Sequence, residues 1–100
     1  MSVRQGLLAV LELGPNYGYQ LRAEFESRTG GTWPLNIGQV YTTLDRLERD
    51  GLARRGDETP EGQVLYEITN AGRAEADAWL SRPVVRERAG RDELAIKLAL

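Results

Sequence analysis

Apolar positions along the chain recur at two periods, and the switch between them lays out the elements. Leu7, Leu8 and Leu11 recur at helical intervals behind Ser2 and Gln5, which have capping-box spacing. A first helix is therefore predicted over Ser2–Leu13, stopped by Gly14-Pro15. Asn16 is a good N-cap for a second helix, whose Tyr17, Leu21 and Phe25 fall on one stripe. Thr29-Gly30-Gly31-Thr32 ends it, and Trp33-Pro34 forces an extended link. Asn36 and Gln39 form another capping box, opening a third helix that runs to Asp50 with Gly51 as its stop. The period then shortens to two. Strands are predicted over Ala53–Asp57 and Gln63–Ile68, joined by the turn-rich Glu58-Thr59-Pro60-Glu61-Gly62. Thr69 caps a fourth helix through Leu80, which Ser81-Arg82-Pro83 breaks. A charged link from Arg86 to Gly90 leads to Asp92, which caps a fifth pattern with Leu94, Ala95 and Leu98.

Three helices, a hairpin and a further helix are the plan of a winged helix-turn-helix, a mainly α fold with a small β-hairpin wing. Residues 1–81 are expected to form that domain. Residues 82–100 read as a linker and the start of a C-terminal dimerisation helix, because the apolar run from Leu94 ends with no cap or polar tail. Leu80, Leu94, Ala95 and Leu98 would make the apolar stripe of a homodimer contact.

The third helix carries the most informative pattern. At 100° per residue, Ile37, Leu44 and Leu47 lie within about 60° of Val40 and form its buried stripe. Thr43, Gln39, Arg46, Thr42 and Arg49 run round the opposite side. Asp45 and Glu48 turn away from them, beside Tyr41, and Asp50 lies at the far end. One face thus offers donors and acceptors free of anions along its first three turns. Reading the major groove of double-stranded DNA requires such a face, with Arg able to fork onto guanine. Asn36 and the free N–H groups of the first turn are placed for a phosphate. An ordinary solvated helix can look the same; the position of this one, between a helix-turn and a wing, favours the groove.

Composition narrows the chemistry. The chain of 100 residues has 41% apolar residues, enough for one modest core, and 13 Lys+Arg against 15 Asp+Glu. The resulting charge of −2 does not oppose DNA binding, because the local field at the contact surface decides attraction. Arg4, Arg46, Arg49, Arg54 and Arg55 are expected to cluster, with Glu12, Glu24, Glu26, Glu75 and Asp77 on other segments. There is no Cys and no His, so disulfides, thiolate or imidazole metal sites and His-based triads are excluded. No nucleophile–base pair or carboxylate cluster stands out; neither an enzyme nor a cofactor is expected. The longest apolar stretch, Leu7 to Leu11, is far short of a membrane span, and the N-terminus has no secretory pattern, which suits a cytoplasmic protein.

Several runs together resemble the PadR family of transcriptional regulators. They are Tyr17-Gly18-Tyr19-Gln20-Leu21, then Trp33-Pro34, then Val40 through Leu52, and finally Tyr66-Glu67-Ile68-Thr69-Asn70-Ala71-Gly72-Arg73. Asp92 through Leu98 resembles the start of the C-terminal dimerisation region of larger members. The resemblance implies a cytoplasmic dimeric repressor that binds a palindromic operator and is released by a small aromatic or phenolic effector. By position it implies a phosphate contact for Tyr41, near Gln39 and Thr42; the plainer reading is a ring packed against the second helix, and the two are compatible. For Tyr19, a partly buried ring with its hydroxyl on the DNA side is expected.

One departure concerns the wing. Its tip reads Asp57-Glu58-Thr59-Pro60-Glu61-Gly62, where such proteins usually carry Arg or Lys. Either the tip swings clear and Arg54, Arg55 and Gln63 make the wing contacts, which is the preferred expectation, or the wing contributes little. Trp33 and Trp79 invite a ligand pocket, but core filling is the plainer reading of both, with Trp79 facing the fifth helix or a partner. The alternative function is a winged-helix protein–protein interaction module that does not bind DNA, which the acidic wing fits better.

Overall fold

The computed structural model describes residues 3–31 and 34–81. The expectations for Ser2, Trp33, Leu94, Ala95 and Leu98 lie outside the described residues. The elements run α1 (Val3–Leu11), α2 (Gly18–Arg28), α3 (Ile37–Arg49), β1 (Ala53–Glu58), β2 (Val64–Ile68) and α4 (Asn70–Ser81). This is the winged helix-turn-helix plan that the pattern predicts.

α1 is buried continuously from Gly6 to Leu11 and packs against α2, α4 and β2. It ends two residues before the predicted stop at Leu13. Leu13 N–H and Gly14 N–H bond three residues back, to Val10 and Leu11 at 3.1 Å, and this tight turn leaves Leu13 exposed. Asn16 is not the cap of α2, contrary to expectation. Its backbone exchanges two hydrogen bonds with Tyr66 of β2, at 2.7 and 3.1 Å, and its Oδ1 accepts the Tyr17 N–H. Pairing with the sheet thus overrides capping chemistry, and Tyr17 stands at the N-cap without a side-chain bond. Leu21 and Phe25 are fully buried, as their stripe requires.

α3 starts and stops as its residues dictate. Asn36 Oδ1 accepts the Gln39 N–H at 2.8 Å, and Gln39 Oε1 accepts the Asn36 N–H at 3.1 Å, closing the capping box. At the other end Gly51 takes φ +75°, its N–H bonds Glu48 O, and Leu52 N–H bonds Leu47 O at 2.9 Å. That is a Schellman stop, with buried Leu47 and Leu52 as its apolar partners.

β1 and β2 pair antiparallel in the register Ala53↔Ile68, Arg54↔Glu67 and Arg55↔Tyr66. The register then shifts by one residue before Glu58↔Val64, so β1 carries a bulge around Gly56–Asp57 and extends one residue beyond the predicted Asp57. Thr69 Oγ1 accepts the Gly72 N–H at 3.0 Å and donates to Gly51 O at 2.7 Å, tying the start of α4 to the end of α3. Gly72 is buried where α4 meets that turn; a Cβ there would collide with Leu52 O and Ile68 Cγ1. The core unites Leu7, Leu8, Leu11, Leu21, Phe25, Val40, Leu44 and Leu47 with Tyr66, Ile68, Ala76 and Trp79. Among the described residues no helix is long and apolar enough to cross a membrane.

Candidate nucleic-acid interface

Packing decides which side of α3 faces outward. Val40, Leu44 and Leu47 are fully buried, and Ile37 packs half-buried against the same core. Gln39, Thr42, Arg46 and Arg49 are exposed and Thr43 is half-buried. The polar arc inferred from helical periodicity is thus open to solvent over the length of the helix. Thr43 Oγ1 donates to Gln39 O at 2.7 Å. Beside this arc lies a notch of about 290 Å³, lined among the described residues by Val3, Pro34, Leu35, Gln39, Thr42, Thr43 and Arg46.

The other flank of α3 meets α2 and the wing. Tyr41 packs its ring against Gly18, where a Cβ would lie only 2.7 Å from Cζ, and meets Tyr19 edge-on with centroids 6.3 Å apart. Packing against the second helix is therefore real for Tyr41, which still leaves 39% of the residue exposed. Tyr19 is 54% exposed, more open than the partly buried ring expected from sequence. A cleft of about 410 Å³ brings Tyr19, Tyr41, Arg55 and Gln63 together with Asp45, Gly62, Val64 and Tyr66.

The arginines do not gather into the cluster that their order suggests. Arg55 turns toward α3: its Nη2 lies 3.5 Å from Asp45 Oδ1, its Nε 3.4 Å from Glu48 Oε1, and its guanidinium 5.9 Å from the Tyr66 ring centre. Burial pushes the Tyr66 phenol up, so this ring stays neutral beside the guanidinium. Arg54 alternates to the opposite face of β1, pairs with Glu67 at 3.0 Å and lines a hollow with Leu11, Glu12 and Arg73. It does not share the Arg55 side of the wing. Asp50, the C-cap of α3, draws in Arg4 at 2.9 Å and Arg49 at 3.3 Å, and hydrogen bonds from both hold its carboxyl below the usual range. Glu75 also reaches Arg4, at 3.9 Å, although its segment looks remote from sequence. Among the described residues, Arg46 has no carboxylate within ion-pair reach.

Asp57, Glu58 and Glu61 are all exposed at the wing tip. There Thr59 N–H bonds Gln63 O and Gly62, with φ +84°, returns its N–H to Thr59 O. Gln63 N–H also bonds Thr59 Oγ1, so Gln63 sits at the base of the tip facing the tyrosine cleft. Of the residues named for dimer contact, Trp79 is buried in the core and Leu80 is 37% exposed on α4. Sequence reasoning missed Gly18, whose lack of a side chain seats Tyr41, and the Asp45–Arg55–Glu48 clasp. A YGY run signals the first only once the third helix is placed; the second depends on where the wing returns.

A sequence model of the transcriptional regulator PadR-like family matches residues 7–78. The probable transcriptional regulator Rv1176c of Mycobacterium tuberculosis is 29% identical over 94 residues, covering 91% of this chain and 50% of that protein. The negative transcriptional regulator PadR of Bacillus subtilis is 26% identical over 99 residues, covering 95% and 54% respectively. The chain thus spans about half the length of these two regulators. Among solved structures, Bacillus subtilis PadR in complex with operator DNA superposes with a TM-score of 0.75 at 24% identity, over 98% of this chain and 57% of that one. The same regulator in complex with p-coumaric acid gives 0.73 at 23% identity, over 98% and 55%. These superpositions establish a shared fold, and the match over residues 7–78 goes further: the chain belongs to the PadR-like family of transcriptional regulators.

Proposed function

We propose that this domain binds double-stranded operator DNA with α3 in the major groove. The observation that carries the reading is the uncovered arc of Gln39, Thr42, Thr43 and Arg46, with Arg46 free of carboxylates among the described residues while Asp45 and Glu48 are engaged by Arg55. Arg46 then forks onto guanine, the fixed geometry of its donors matching O6 and N7. Asn36 and Arg49 flank the arc at its two ends, and Tyr19, Tyr41, Arg55 and Gln63 follow the adjoining backbone from the cleft side. Arg54 reaches DNA only on the far side of the wing.

In the fuller reading, residues 1–81 are the DNA-binding unit and residues 82–100 lead into a dimerisation helix. A homodimer, drawing on Leu80, Leu94, Ala95 and Leu98 while Trp79 stays in the core, would place two copies of α3 about 34 Å apart on a palindromic operator. It would act in the cytoplasm as a repressor released by a small aromatic or phenolic effector. The family and the Bacillus subtilis complexes with operator DNA and p-coumaric acid support this. Titration of a dyad-symmetric promoter fragment from its own locus at two salt concentrations tests the central claim. Wild type should bind with steep salt dependence, and Arg46→Ala should lose roughly 5- to 150-fold. Equal binding by both would sink the role given to α3.

The three exposed acids at the wing tip favour one other reading, a protein-interaction module. It predicts no salt-dependent duplex binding and stable capture of a basic protein partner. An enzyme is not proposed, the family being one of regulators.

A further inference from the structure

Most arginines among the described residues are held by carboxylates. Arg4 and Arg49 reach Asp50, Arg28 reaches Glu24, Arg54 reaches Glu67, and Arg55 reaches Asp45 and Glu48. Arg73 shares a hollow with Glu12 and Glu67. That leaves Arg46 on α3 and Arg22 on α2.

Helical periodicity puts Tyr19, Arg22 and Glu26 on one face of α2, three and four residues apart. Both neighbours of Arg22 on that face turn toward α3. Tyr19 meets the Tyr41 ring, and Glu26 Oε1 accepts the Leu35 N–H at 3.2 Å, one residue before the cap of α3. Arg22 stands between these two contacts, along the edge of α2 that borders the first half of α3. Glu26 forms no ion pair with it, although the two are one turn apart.

The head of this side chain is not tied down either. Arg22 is half-buried, and its Nε is shut off from solvent with no acceptor, an unfavourable state for a charged donor. Arg49 and Arg55 must each leave a carboxylate to reach a phosphate. Arg22 breaks no such pair when it extends, and extension gives Nε access to an acceptor. In a helix-turn-helix, moreover, the helix before the recognition helix crosses the DNA backbone. We infer that Arg22 is a further DNA contact, a phosphate anchor on α2 at the edge of the groove that α3 enters. It adds affinity without sequence preference. The inference rests on the DNA-binding reading above.

Anisotropy titrations of the full chain across a salt series test it, on the dyad-symmetric promoter fragment and on an unrelated duplex. Wild type is compared with Arg22→Gln, Arg22→Met, Arg22→Lys and Arg46→Ala. The Gln and Met variants both keep an apolar stem and remove the charge, so one serves if the other melts below the binding temperature. Each should weaken binding to both duplexes by the same factor and make the slope of log K against log salt shallower by about 0.9. Their deficit should therefore narrow about 3.5-fold between 50 and 200 mM salt. Arg22→Lys should restore the wild-type slope, whereas Arg46→Ala should lose preference for the promoter fragment. A wild-type slope in the neutral variants, whatever their affinity, overturns the inference, as does a loss confined to the promoter fragment. No salt-dependent binding by wild type to either duplex overturns the DNA-binding reading itself, and the inference with it.

Discussion

Two glycines show how single atoms position the recognition surface. At Gly72 the obstacle to a Cβ is Leu52 O, a backbone atom fixed by the Thr69 N–H bond and the Schellman turn, so it cannot swing aside. Gly72→Ala should therefore cost about 2–3 kcal/mol, as overpacking of a tight contact does, and lower Tm by about 10–20 °C. A thermal melt checks this; an unchanged Tm would mean that α4 can retreat. At Gly18 the obstacle is the tip of the Tyr41 side chain, which can rotate. Gly18→Ala should shift stability by less than about 1 kcal/mol yet displace the ring and weaken duplex binding. Comparing a melt with a titration separates the two outcomes. Loss of both together would show that the Tyr41 ring is part of the core.

At the scale of elements, both ends of α3 and the start of α4 are set by short-range chemistry, and that is why they were legible in the sequence. Asn36→Ala removes a cap worth about 1 kcal/mol, so its melt should shift modestly, with the helix start fraying. The Asn36–Gln39 box, Gly51 and the Thr69 cap all stand where local rules put them. Where a distant partner intervenes, the same rules fail: Asn16 is taken by Tyr66, and the bulge in β1 is invisible without β2. The polar arc of α3 was legible because periodicity alone determines it. Arg54 and Arg55 were not separable until the register of the hairpin fixed which face each occupies. The α1–α4 contact makes a further point about pH. Burial first, then the hydrogen bond and charge of Asp77, push the Glu12 carboxyl up. A carboxyl with a raised pKa in the folded state favours folding when protonated, so its ionisation removes stability as pH rises through and above the ordinary range near about 4. Glu12→Gln should therefore raise Tm at pH 7, with the gain vanishing once the buffer falls below the ordinary carboxylate range near about 4. A gain that persists unchanged at low pH would assign it to packing instead.

For the molecule as a whole, the question is how a chain of charge −2 presents an attractive surface to a polyanion. The distribution supplies part of the answer: Asp50 is bound by Arg4 and Arg49, and Asp45 and Glu48 by Arg55, so acids near α3 are screened by cations drawn from α1 and the wing. The arrangement has a cost, because Arg55 is then only partly available to a phosphate. Asp45 is 62% exposed and lies 3.5 Å from Arg55, a separation at which a surface pair is worth little by itself. A phosphate approaching Arg55 has to compete with both carboxylates. Asp45→Asn should therefore leave Tm nearly unchanged while tightening duplex binding. With Glu48 still 3.4 Å from Arg55, the cation is released only in part, so the slope of log K against log salt should steepen by at most about 0.9. Fluorescence anisotropy across a salt series measures both quantities. Weaker binding at an unchanged slope would mean the opposite, that Asp45 holds Arg55 in the orientation DNA requires, and the clasp would then be part of the interface.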